Sequence, residues 1–144
     1  MGAAAPKRAP FYSRCVPAPP INASVVRIDG DRITLLGGWS PSSGYRHFPR
    51  AVVCPFTGAD DVEAVDLPGE GTVLLHTEVL LAPPGYFGPV PYGLGVVELE
   101  GAPPLRIVTR LQGDDIRPGA RVALALEEVP DADGNPLATW TFRS

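Results

Sequence analysis

The chain has 144 residues, enough for one barrel-sized core with an appendage and too few for a large multidomain enzyme. Its net charge of −4 and pI near 5.1 offer a phosphate backbone no favourable overall field. Eighteen prolines and 16 glycines exclude long helices, because proline removes a backbone donor and clashes with the preceding turn.

Residues 1–22 read as an extended arm, in which Pro6, Pro10, Pro17, Pro19 and Pro20 break any helical or strand period. Phe11, Tyr12 and Val16 give its second half apolar side chains with which to dock. Met1-Gly2 invites comparison with a myristoylation signal, but Pro6 stands where that motif needs Ser or Thr. No apolar run approaches the roughly 18 residues of a membrane span, and no secretory signal opens the chain. Cys15 and Cys54 are therefore expected to be free thiols in a soluble, cytoplasmic protein.

Residues 23–67 form the next region. Val25 to Ile28, a turn at Asp29-Gly30-Asp31, and Arg32 to Leu36 carry the strand, Asp-Gly turn, strand signature of a hairpin. Two short segments follow, Ser40-Pro41-Ser42-Ser43-Gly44 and Cys54-Pro55-Phe56-Thr57-Gly58. A zinc knuckle has the form Cys-x-x-Cys-Gly. Both segments keep the spacing and the glycine, yet only Cys54 keeps its thiol. Trp39, Tyr45, Phe48, Val53 and Phe56 are expected to preserve the shape as an apolar cluster beneath the knuckles, and Asp61 to Leu67 reads as a closing strand.

Residues 68–144 show a cleaner period of two. Gly71 to Leu81 reads as one long strand with Val73, Leu75, Thr77, Val79 and Leu81 on one face. A loop rich in proline and glycine, Ala82 to Pro91, carries Tyr86, Phe87 and Val90. Tyr92 to Glu100, Leu105 to Leu111, Ala120 to Val129 and Leu137 to Phe142 complete five strands. An all-β, five-stranded barrel of the OB type fits this pattern, with a β-sandwich as the competing architecture.

The order of short motifs narrows the choice. Gly69-Glu70-Gly71-Thr72-Val73, the Pro-Pro-Gly loop, Tyr92 to Leu99, and Ile116-Arg117-Pro118-Gly119-Ala120-Arg121-Val122 follow one another up to Phe142-Arg143. In this order the chain, from about Gly30 to Arg143, resembles the family of small proteins that join a rubredoxin-like zinc ribbon to an OB fold and accompany thiolases and other acyl-CoA enzymes. The resemblance implies a non-catalytic subunit or accessory domain. It also implies that the family's four zinc cysteines fall on Ser40, Ser43, Cys54 and Thr57. Neutral hydroxyls are far poorer zinc ligands than thiolates, so a ribbon remnant lacking metal is expected.

The side chains that carry chemistry are few. His47 and His76 are the only histidines, and neither has a sequence partner that would make it a base. Glu98 and Glu100 share a strand face and read as a solvated edge. No catalytic residue is assigned and no cofactor is expected. An acyl-CoA ligand needs a few cations, an aromatic face and an apolar groove, which Arg46, His47, Arg50 and Tyr92 are placed to supply. A loop stiffened by proline loses little entropy on docking, so Tyr86, Phe87 and Pro84, with Phe48, are assigned to a protein interface. The expected role is that of a small subunit which assembles with a thiolase-like acyl-CoA enzyme and supports its assembly or acyl-CoA binding. The alternative is a free-standing OB module that binds single-stranded nucleic acid through aromatic stacking.

Overall fold

The computed structural model describes residues 18–144. Cys15, Phe11, Tyr12 and Val16 lie outside the described residues. The nine strands are β1 (Val26–Asp29), β2 (Arg32–Trp39), β3 (Arg46–His47), β4 (Glu63–Asp66), β5 (Glu70–Val79), β6 (Tyr92–Leu99), β7 (Leu105–Gln112), β8 (Arg121–Pro130) and β9 (Pro136–Arg143).

The first hairpin forms where the Asp-Gly signal places it. Asp29 pairs with Arg32, leaving Gly30-Asp31 as a two-residue turn, and Gly30 takes φ 69° at the position where such turns need a left-handed residue. β2 continues past β1 and pairs with both β3 and β4. Its buried glycines make this possible, since a Cβ on Gly37 would meet Leu67 and the carbonyl of His47.

The remaining strands close a barrel in the order β5-β6-β7-β9-β8, all pairs antiparallel except β7 with β9. An all-β, closed five-stranded barrel of the OB kind is thus the observed fold. Residues 19–21 run beside β9, with the Ile21 N–H donating to the Ala138 carbonyl at 2.7 Å and the Ala138 N–H to that of Pro19 at 2.7 Å.

The period read from β5 changes midway. A bulge between Val73 and Leu75 inserts one residue, so Val73 is fully buried while Leu75 is 63% exposed. The expected single face from Val73 to Leu81 is therefore split, because an extra residue reverses the alternation of everything after it. The strand also stops at Val79, leaving Leu80 and Leu81 outside the ladder.

One apolar cluster runs through both halves of the chain. Val26, Leu35 and Leu67 from the N-terminal sheet join Val73, Val97, Leu99, Ile107, Leu111, Val122 and Phe142 of the barrel. Each such side chain contributes about 1.5–3 kcal/mol on burial. The N-terminal sheet therefore shares the barrel's core.

Candidate functional site

The two knuckles are the same turn built twice. The Ser40 N–H donates to the Tyr45 carbonyl at 3.0 Å and the Gly44 N–H to that of Ser40 at 2.7 Å. In the second, the Cys54 N–H donates to the Ala59 carbonyl at 2.8 Å and the Gly58 N–H to that of Cys54 at 2.8 Å. Gly44 and Gly58 both sit at φ 78°, a conformation that side chains with a Cβ rarely adopt. Glycine at these places is thus a backbone requirement of the turn.

Of the four positions expected to correspond to zinc cysteines, Ser40, Ser43 and Cys54 are joined by hydrogen bonds. Ser43 Oγ lies 3.8 Å from Cys54 Sγ, and Ser43 Oγ also donates to the Ser40 carbonyl at 3.4 Å. Hydrogen bonding from Thr57, with the backbone N–H groups of Phe56 and Thr57, holds the Cys54 thiol below its ordinary range despite its burial. One thiol among three hydroxyls is a poor donor set for zinc. No group of three or more His, Cys, Asp or Glu residues converges among the described residues. The site does not fit the metal.

Asp61 supplies the cross-link instead. Its carboxylate accepts from Ser40 Oγ at 2.6 Å and from the Ser42 N–H at 2.9 Å, tying the first knuckle to the chain leaving the second. The Ser40 hydroxyl and the Ser42 N–H together hold its pKa below the usual carboxylate range. Sequence reasoning places Asp61 only at the head of a strand. Asp60-Asp61 directly after the second knuckle is the signal that points to it.

The expected apolar cluster beneath the knuckles is not what forms. Trp39, Tyr45, Val53 and Phe56 lie at the surface, because the knuckle interior is narrow and already filled by Ser40 and Cys54. Tyr45 and Phe56 pack against each other outside, ring centroids 5.4 Å apart. Phe48 turns inward and meets Trp140 of β9 edge-on at 5.6 Å. It joins the N-terminal region to the barrel and is partly buried there.

The residues assigned to acyl-CoA do not gather at one place. His47 is buried, its Nε2 accepting the Ala51 N–H at 3.0 Å while its Nδ1 has no partner; burial lowers its pKa. Arg50 Nε donates to the Gly37 carbonyl at 3.0 Å. Arg46 donates to the carbonyls of Glu100 at 2.9 Å and Pro103 at 3.1 Å, at the far end of β6 from Tyr92. Seven residues of strand separate the two ends by about 24 Å.

Tyr92 belongs to a second cluster that sequence spacing does not reveal. The Arg110 guanidinium lies 4.4 Å from the Tyr92 ring and 5.5 Å from that of Tyr86, and makes two 2.8 Å bonds to the Glu127 carboxylate. Gln112 donates to the same carboxylate at 2.8 Å. The ion pair is largely shielded from solvent and raises the Arg110 pKa against the cost of its burial. Tyr86 in turn donates its hydroxyl to the Pro89 carbonyl at 2.8 Å, which fixes the loop between β5 and β6 and leaves Pro84, Phe87 and Val90 outward.

Beside this loop runs an apolar row. Leu75, Val96 and Val108 are directly opposite one another across β5, β6 and β7 on the outer face, and Leu75 and Val108 are 63% and 65% exposed. Leu80, Leu81 and Phe87 are also exposed. The acids that might have served as a catalytic pair are bound to arginines: Glu98 to Arg106 at 3.0 Å and Glu100 to Arg121 at 2.6 Å. His76 lies exposed on β5.

Fold and site together define an OB-fold protein whose barrel is preceded by a small N-terminal sheet with two hydrogen-bonded turns, and which displays apolar side chains on the barrel face. Residues 64–127 match the family model described as "ChsH2, C-terminal OB-fold domain". A protein of Pyrococcus furiosus named "DUF35 domain-containing scaffold protein" is 27% identical over 114 residues, covering 78% of this chain and 83% of its own. The solved structure titled "Ltp2-ChsH2(DUF35) aldolase" superposes with a TM-score of 0.57 at 27% identity, covering 76% of this chain and 84% of that one. The OB fold named by the family model is the fold of the barrel described above, and the chain is similar to two proteins whose names carry DUF35.

No helix among the described residues is long and apolar enough to cross a membrane.

Proposed function

We propose that this chain is a non-catalytic small subunit that assembles with a thiolase-like acyl-CoA enzyme and supports its assembly or its hold on the acyl-CoA. The observation that carries the reading is the set of apolar side chains the barrel displays: Leu75, Val96 and Val108 side by side on its outer face, and Phe87 and Val90 turned outward on a loop braced by Tyr86. Contiguous exposed apolar side chains of this kind mark interaction surfaces, and the strand face and first loop of an OB barrel are where such folds bind. A relative named as a scaffold protein and a similar structure whose title joins Ltp2 to ChsH2 in an aldolase support the same reading.

Contact with acyl-CoA falls on this account to Arg46 and Arg50 at the ribbon, since His47 is interior and Tyr92 is committed to Arg110. The nucleic-acid alternative finds less support. Arg27, Arg110, Arg117 and Arg121 are each matched to a carboxylate, and the net charge of −4 gives a phosphate backbone no favourable overall field.

The test is reconstitution with a thiolase-like acyl-CoA enzyme from the same organism. Co-elution on size exclusion, and loss of enzyme stability or activity when this chain is omitted, are expected. Full activity without it, and no co-elution, would refute the assignment.

A further inference from the structure

A second surface, separate from the apolar row on the barrel, lies between the ribbon and the turn that joins β6 to β7. Tyr45 and Phe56 form one wall, their rings 5.4 Å apart and tilted by 55°. Pro103, Pro104 and Leu105 form the other. Two cations, Arg46 and Arg106, also line the groove, and no acid does.

The charge of this groove is real because its arginines are incompletely matched. Arg46 bonds only to the neutral carbonyls of Glu100 and Pro103, so its charge is not cancelled. Its path is open because Gly101 has no Cβ; one built there would collide with the guanidinium. Arg106 meets Glu98 through Nε alone at 3.0 Å and is 67% exposed, which leaves its terminal nitrogens available. The same two Arg46 bonds hold the proline wall in place, so the groove is formed before anything enters it.

We infer that this groove receives an extended segment of a protein partner that carries an acidic side chain beside apolar or proline residues. The inference rests on the proposed role as a partner-bound subunit and names the chemistry of one contact. An open cleft encloses too little of a small molecule to hold it well, whereas an extended peptide gains from walls of aromatic rings and prolines. Charge complementarity sets the sign: a carboxylate on the segment pairs with Arg46 or Arg106, and a basic segment is repelled. The chain's own first 22 residues are excluded on this ground, for they contain Lys7, Arg8 and Arg14 and no acid.

Titration of the full chain with the synthetic peptide Pro-Leu-Pro-Glu-Leu-Pro, followed by NMR, provides the test. Saturable shifts at Tyr45, Phe56 and Leu105 are expected, with the counterpart bearing Lys in place of Glu weaker by roughly ten-fold. Phe56→Ser and Arg106→Gln should each weaken binding by roughly five-fold, and both residues are exposed enough for the fold to tolerate the change. Val108→Ser on the barrel face should leave peptide binding unchanged. No binding of the acidic peptide, equal binding of the Lys peptide, or indifference to both groove variants would overturn the inference. Failure of the wild-type chain to join any acyl-CoA enzyme would instead strike the proposed function, while the peptide titration judges the groove by itself.

Discussion

Replacing Glu127 by Leu should leave the Arg110 guanidinium without its counter-ion in a site where the two side chains are only 16% and 12% exposed. Breaking a buried pair by removing one partner costs about 3–5 kcal/mol when burial is complete. Here residual solvent access and the Tyr92 and Tyr86 rings beside the cation moderate the loss, so about 2–3 kcal/mol is expected. At about 2.1 cal/mol/K per residue, unfolding entropy for a chain of this size is near 0.3 kcal/mol/K, and the midpoint should fall by about 7–10 °C. Arg110→Met should cost a similar amount by stranding Glu127. The double variant should recover much of the loss, since a matched apolar pair removes both desolvation penalties. Thermal and guanidinium denaturation of the four proteins complete the cycle. A Glu127→Leu protein within about 0.5 kcal/mol of wild type, or a double variant no better than the sum of the singles, would refute the coupling.

Other consequences follow from the ribbon and its seam with the barrel. Because hydrogen bonds depress the folded-state pKa of Asp61, its stabilisation is complete above the unfolded value of about 4 and is lost as pH falls through the folded value. The protection of the Ser42 amide against hydrogen exchange, taken relative to the intrinsic rate at each pH, should therefore fall on acidification below about pH 4, and Asp61→Asn should show the lower protection already at neutral pH. Protein purified without added metal should contain no stoichiometric zinc by elemental analysis, and a chelator should leave its melting temperature unchanged; a one-to-one zinc content would overturn this. Gly38→Ala should destabilise by roughly 1–3 kcal/mol, because the new Cβ runs into the His47 ring and Val62. Phe48→Ala should cost roughly 2–3 kcal/mol by removing the contact with Trp140, and ribbon and barrel should still unfold in one transition.

The barrel was legible because its signals are local. Alternation along β6, β7 and β8 acts within a few positions of the chain, and the strands fall within a residue or two of the expected bounds. The bulge at Leu74 escaped for an equally physical reason. Either phase of β5 offers apolar side chains to the core, and only pairing with β6 decides which enter. At the site, the knuckle glycines Gly44 and Gly58 were readable as a repeat, whereas the direction of Phe48, the burial of His47 and the staple at Asp61 depend on what packs against them.

By itself the sequence determined an all-β chain, five barrel strands and two turns with glycine at the same place, since each is written in residue type and spacing over a short stretch. The tertiary structure alone decided which partners meet. Ser40 finds Asp61 across 21 positions, Arg110 finds Glu127 across 17, and Arg46 reaches Glu100 across 54. Such pairs carry no periodic trace, because a hydrogen bond or ion pair depends on distance in space, and strand order and register set that distance only when the whole chain has closed.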